Sequence, residues 1–145
     1  MIDIRIQTEV FDSAALLASL EAEGVGAISS FTGLVRSDDG VTAIELEHYP
    51  AMTEASLRAV AVEAQSRWNL SGAIIVHRVG KMAVGEPIVF VAAASAHRAD
   101  ALAACAFLID RLKTDAPFWK KEYRGGQANW VEAKTSDDAR AADWD

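Results

Sequence analysis

Residues 95–124 read SAHRADALAACAFLIDRLKTDAPFWKKEYR. Leu102, Cys105, Ala106, Ile109 and Leu112 recur at helical spacing, so the stretch opens as a helix, started by Ser95 or His97, with these side chains inward. Pro117 ends that helix. The chain then passes almost at once into residues 119–123, which read as a strand. Gly125-Gly126 turns it back along 129–133 to make a closing hairpin. A helix that feeds a hairpin is not part of a βαβ unit, and this decides the fold class.

The same reading extends outward. Residues 73–79 and 87–94 are apolar strands joined through Gly80 and Gly85. Ile2, Ile4 and Ile6 alternate with polar residues, as in a half-buried strand. Asp12 caps a helix running to about Glu23, with Gly24 as its stop. Residues 25–35 form a strand, 37–40 a turn, and 41–48 alternate again. Pro50 breaks that pattern, and Thr53 caps a helix to about Trp68 that buries Leu57, Val60, Ala61, Ala64 and Trp68. The tail from about residue 135 is polar and expected to be peripheral. Strictly alternating βα units are absent, so the expectation is a single α+β domain over residues 1–145.

Composition limits the function. The chain has 145 residues, a formal net charge of −7 and 51% hydrophobic residues, with a pI near 4.9. That balance argues against a nucleic-acid partner, which needs a dominant basic face. No apolar run suits a membrane span, and the N-terminus lacks the apolar core of a signal peptide, so a cytoplasmic protein is expected. One cysteine, Cys105, excludes an internal disulfide.

The cations are gathered. Residues 97–124 carry six Lys/Arg against four acids, a net +2, and the remainder is strongly acidic. Cations concentrated in an acidic protein suit a small anion. His97 and Arg98 open the helix, where free N–H groups and the dipole favour an anion; a surface arginine and a capping histidine are the plainer reading. Lys113 lies fifteen residues further along, roughly 22 Å away at 1.5 Å per residue. No small ligand reaches both ends of one helix. Either the ends serve separate sites, or two copies pair so that one copy's His97 and Arg98 approach the other's Lys113.

Lys120 and Lys121 are neighbours on a strand, so alternation sends one of them inward or into a cleft. A partly desolvated lysine near other cations can act as acid, base or nucleophile. Arg36 ends a strand in which Gly33 allows close backbone approach. His48 and His77 have no ligand-spaced partners, so no metal site is expected. Cys105 lies among alanines and reads as inert.

The blocks FTGLVR (31–36), LEHYPAMTE (46–54), HRVG (77–80), GEPIVFV (85–91), SAHR (95–98), LKTDAPFWKKE (112–122) and WVEA (130–133) occur in the order found in one family. Over nearly its whole length the chain resembles the large, catalytic subunit of molybdopterin synthase. That resemblance implies an α/β hammerhead-type fold with an additional antiparallel β subdomain. It implies sulfur transfer from the C-terminal thiocarboxylate of a small ubiquitin-like partner subunit to cyclic pyranopterin monophosphate, forming the dithiolene of molybdopterin. It also implies a homodimer of large subunits at the core of a heterotetramer, with pockets built from two copies.

By the same resemblance, the catalytic lysines fall on Lys113 and Lys120. The anion-binding residues fall on Arg36, His97 and Arg98, and Phe31 lines the pocket. Leu34, Val35, Lys121 and Glu122 complete the substrate-binding set; Leu34 stands where some relatives carry a lysine, which leaves it a backbone contact. Lys134 matches a further basic position. No cofactor or metal is implied, because the partner supplies the sulfur. The competing readings are a non-catalytic dimeric adaptor for a ubiquitin-like protein, which would need no pair of lysines, and a different phosphate-ester enzyme on the same fold.

Overall fold

A computed structural model of the chain describes residues 1–131 and 135–145. The first of two four-stranded sheets contains, in spatial order, β1 (Ile2–Gln7), β4 (Gly72–Arg78), β6 (Pro87–Ser95) and β2 (Ala27–Leu34). The second contains β5 (Gly80–Ala83), β3 (Ala43–His48), β7 (Phe118–Arg124) and β8 (Gln127–Val131). Only β1 and β4 pair in parallel; the other described pairings are antiparallel. The helices are α1 (Ser13–Ser19), α2 (Pro50–Trp68), α3 (Arg98–Asp115) and α4 (Thr135–Ala142). This is the expected α+β class, with the second sheet as the additional antiparallel subdomain. Among the described residues no helix is long and apolar enough to cross a membrane.

Strand alternation divides the first sheet into two buried faces. Ala73 and Ile75 of β4, with Val89, Val91 and Ala93 of β6, face α2 and α3 and meet Leu57, Ala61, Phe107, Leu108 and Leu112. Ile74, Val76, Phe90 and Ala92 face α1 through Leu16 and Leu20. Both faces are covered, so β4 is continuously buried, and each large side chain sunk this way contributes about 1.5–3 kcal/mol. The second sheet has its own cluster of Val35, Val41, Ile44, Leu46 and Met82.

Several local expectations change. Asp12 does cap α1, accepting from the Ala15 N–H at 3.1 Å, but the helix ends at Ser19 rather than near Glu23. Pro50 starts α2 instead of ending the preceding strand's region, with Tyr49 as the N-cap; a proline in the first turn loses no helical hydrogen bond. Thr53 is therefore inside the helix, and its hydroxyl donates back to the Tyr49 carbonyl at 2.9 Å. The link between β4 and β6 contains a further strand, β5, paired with β3. Leu102, expected inward, is 60% exposed, because Ala101, Ala104, Cys105 and Leu108 form the buried face of α3.

The tail is not peripheral. Trp144 packs against Trp68 and Phe107, and its indole N–H donates to Asp110 at 2.8 Å. Arg111 bonds the Asp145 carboxylate at 2.9 Å. The C-terminal segment is thereby tied to α2 and α3. The expected hairpin is present as β7 and β8; its last expected residues, Glu132 and Ala133, and Lys134 lie outside the described residues.

Candidate functional site

The two sheets meet along a cleft of about 500 Å³, within the range of small-molecule sites. Its walls come from the end of β2 and the residues after it, the start of β6, the end of α3, and one face of β7. The register shifts between Gly33 and Leu34, where β2 leaves β6. Beyond that irregularity Val35 is held by the Glu86 carbonyl at 2.9 Å and, through its own carbonyl, by the Gly85 N–H at 2.8 Å. The chain is thereby steered into the second sheet. Gly33 has a packing reason as well: a Cβ there would lie 2.7 Å from Val89 Cγ1.

Seven expected site residues line this cleft: Phe31, Leu34, Val35, Arg36, Lys113, Lys120 and Glu122. Lys113 is exposed in the last turn of α3, where the dipole favours a cation. Pro117 and the short turn after α3 then bring β7 past the same opening. Alternation puts Phe118, Lys120 and Glu122 on the cleft face and Trp119, Lys121 and Tyr123 on the other. Lys120 sits across from Leu46 on β3 and Val131 on β8, both also in the cleft wall. Its side chain is 34% exposed, and its Nζ is 3.8 Å from Glu122, which also bonds Arg124 at 3.0 Å.

Arg36 reaches into solvent and pairs with Asp38, which also lines the cleft. Asp38 stands in the 37–40 turn and was not among the expected residues; an acid two positions after a site arginine was the available signal.

Lys121 lies off the cleft. Its Nζ sits 4.7 Å over the Trp130 ring, and it is not part of the cleft wall. His97 and Arg98 are also elsewhere: they stand exposed at the start of α3, and the His97 side chain makes no cap hydrogen bond. One chain therefore gathers the two lysines and Arg36 but leaves the other two anion-binding candidates at the opposite end of the helix.

His77 is a cleft residue that the strand pattern alone left without a role. It is 3% exposed, its Nδ1–H donates to the Arg78 carbonyl at 2.9 Å, and its ring stacks on Phe118 with centroids 3.9 Å apart. Burial pushes its pKa down to about 3, partly offset by the Arg78 carbonyl and reinforced by Lys113 and His48. It is a neutral imidazole at working pH. The available signal was the pair His77-Arg78 closing an otherwise apolar strand, since polar side chains must be hydrogen-bonded once buried.

Cys105 is buried on α3, and burial raises its thiol pKa, with a Ser29 hydrogen bond opposing. That environment suppresses thiolate chemistry. Among the described residues no group of three or more His, Cys, Asp or Glu is arranged to hold a metal ion.

The family model described as MoaE protein matches residues 6–115. A molybdopterin synthase catalytic subunit from Cereibacter sphaeroides is 49% identical over 144 residues, covering 97% of this chain and 99% of that protein. The solved molybdopterin biosynthesis MoaE protein from Burkholderia ambifaria has a TM-score of 0.86 at 49% identity, covering 99% of this chain and 98% of that one. A complex of subunits 1 and 2 of the molybdopterin-converting factor from Helicobacter pylori shares the fold, with a TM-score of 0.73 at 19% identity over 92% of this chain and 91% of that one.

Proposed function

The chain belongs to the MoaE protein family, and on that premise we propose that its cleft is the active site of a molybdopterin synthase catalytic subunit. The observation that carries the reading is the convergence of Lys113, Lys120 and Arg36 on one cleft in a chain of net charge −7. The substrate is cyclic pyranopterin monophosphate. Sulfur arrives as the C-terminal thiocarboxylate of a small ubiquitin-like partner, and the product carries the dithiolene of molybdopterin. The words "catalytic subunit" in the relative's name, and the two-subunit complex in which the same fold is found, support a partner of this kind.

The chemistry follows from the side chains. The singly charged cyclic phosphodiester is held by bidentate and charge-assisted hydrogen bonds, the work of Arg36, His97 and Arg98. Attack of the thiocarboxylate sulfur on the pterin side chain forms a C–S bond as a C–O bond breaks, and the departing oxygen takes up negative charge and a proton. Water then cleaves the S–acyl bond, leaving sulfur on the pterin and a carboxylate on the partner. Lys113 and Lys120 donate protons and stabilise that charge. Neither step requires a thiol of this chain, so buried Cys105 is a spectator, and the protein needs no cofactor or metal of its own. On this reading the protein works in the cytoplasm, as expected of a chain whose single cysteine is a thiol.

Two copies of the chain complete each site. The roughly 22 Å between Arg98 and Lys113 along α3 cannot be closed within one chain. β2 is an edge strand of the first sheet and carries exposed Phe31 and Leu34, while α3 exposes Leu102. Large apolar side chains left in solvent mark association surfaces, and a two-fold pairing through them forms the homodimer at the core of a heterotetramer.

Reconstitution tests this reading. The purified protein, incubated with cyclic pyranopterin monophosphate and thiocarboxylated partner, is expected to form molybdopterin. Partner binding without product would favour the adaptor reading, and turnover of another phosphate ester alone would favour a different enzyme.

A further inference from the structure

Lys113 and Lys120 stand on either side of a sharp joint. α3 ends at Asp115, β7 begins at Phe118, and the two lysines belong to different layers of the fold. Long lysine side chains do not set their own spacing. The backbone that carries them must be fixed, and β7 carries Lys120 as part of the second sheet.

One contact that ties the start of β7 to the first sheet is the ring of Phe118 lying on the ring of His77, 3.9 Å between centroids and 21° from parallel. His77 is well suited to be the fixed side of that pair. Its backbone is flanked on both sides, by Ile6 of β1 and Val89 of β6. Its ring orientation is set by the Nδ1–H bond to the Arg78 carbonyl at 2.9 Å. Phe118 is paired to His48 of β3, whose ring is a further 6.1 Å neighbour. Lys120 is two residues along the same face as Phe118, roughly 6–7 Å away. A leucine at position 77 would fill the space, but it would present no ring face for Phe118 to lie on.

We propose that the His77–Phe118 stack is the strut that fixes Lys120 against Lys113, which makes His77 a positioning residue for the reaction. This rests on the reading of the cleft given above. A neutral ring is required, since a charged imidazole would desolvate a cation beside Lys113; burial keeps His77 in that state.

The test uses the full chain with cyclic pyranopterin monophosphate and thiocarboxylated partner. His77→Ala is expected to lower kcat on the order of 10- to 100-fold, as misplacement of a reacting group does, with KM for the pterin close to wild type. His77→Phe, which keeps the stack, is expected to restore most of kcat. Phe118→Ala is expected to match His77→Ala, and the double variant to lose no more than the worse single one, the behaviour of residues acting as a unit.

A wild-type kcat in His77→Ala, with only a lowered melting temperature, would overturn the proposal, as would multiplicative losses in the double variant. If His77→Ala does not fold, Phe118→Leu carries the test: reduced kcat at unchanged KM supports the strut, and unchanged kcat overturns it. An inactive wild-type protein would instead remove the reading of the cleft on which the strut depends.

Discussion

Arg98 and Lys113 stand in the first and last turns of one helix, α3, and only Lys113 reaches the cleft. A helix is stiff over this length, so the roughly 22 Å between them is a fixed distance. Phosphate bound by Arg98 and chemistry assisted by Lys113 then require two chains.

Mixed dimers expose that sharing. An Arg98→Ala chain and a Lys113→Ala chain are each expected to be nearly inactive as homodimers. A heterodimer of the two retains one site with both residues intact and is expected to recover a substantial part of the activity. Purified heterodimers as inactive as either parent would place the two residues in separate sites.

Arg36→Ala and Arg98→Ala are expected to weaken pterin binding by about 1.5–3 kcal/mol each, the scale of a lost charge-assisted hydrogen bond, while partner binding stays near wild type. Arg36 is held by Asp38 in the free protein. Asp38→Asn is therefore expected to leave pterin binding unchanged or slightly tighter. Calorimetric titration of each variant with pterin and with partner separates these effects.

Acid sensitivity follows from His77. Its folded pKa of about 3 lies below the ordinary 6.5, so above pH 6.5 the group is neutral in both states and contributes nothing. As pH falls from 6.5 toward 3, the unfolded chain gains a proton that the folded one refuses. Stability falls by at most about 1.4 kcal/mol per pH unit in that window. The groups acting on the ring are Lys113 from α3, His48 from β3 and the Arg78 carbonyl. His77→Phe is expected to flatten the loss, and urea midpoints at pH 7 and pH 5 for both proteins check it. Equal pH dependence would show that His77 does not titrate on unfolding.

Cys105→Ala is expected to leave sulfur transfer intact, with a modest packing loss in a site where burial already raises the thiol pKa. Mass spectrometry during turnover checks this; a persulfide or mixed disulfide on Cys105 would contradict it.

Much of this architecture was legible in residue patterns. The apolar runs at 73–79 and 87–94 locate β4 and β6, and alternation around Lys120 and Lys121 shows that only one of them can share a face with Phe118. What escaped depends on tertiary context. Pro50 suits either a strand break or a helix start, and only the burial of Thr53 and Leu57 decides. Trp144 stands in a polar tail, and the surface it packs on exists only once the fold brings Asp110, Trp68 and Phe107 beneath it. His77 is marked locally only as a polar residue at the end of an apolar strand; its partner Phe118 is forty-one positions away, and no local pattern joins the two. Glu122 and Lys120 were assigned through family likeness, and strand alternation gives the reason they share a wall.

The most direct test of the central claim, that Lys113 and Lys120 form the reaction centre, is a single-turnover assay with thiocarboxylated partner. Both residues are partly or fully exposed cations, and loss of a helix-end charge costs only about 0.3–1 kcal/mol of stability. Lys113→Ala and Lys120→Ala are therefore expected to fold, dimerise and bind partner, yet form dithiolene on the order of a hundredfold or more slowly. Lys121→Ala, whose side chain lies over Trp130 off the cleft, is expected to keep a near wild-type rate. Near-normal rates in both cleft variants, or an equal loss in Lys121→Ala, would contradict the account.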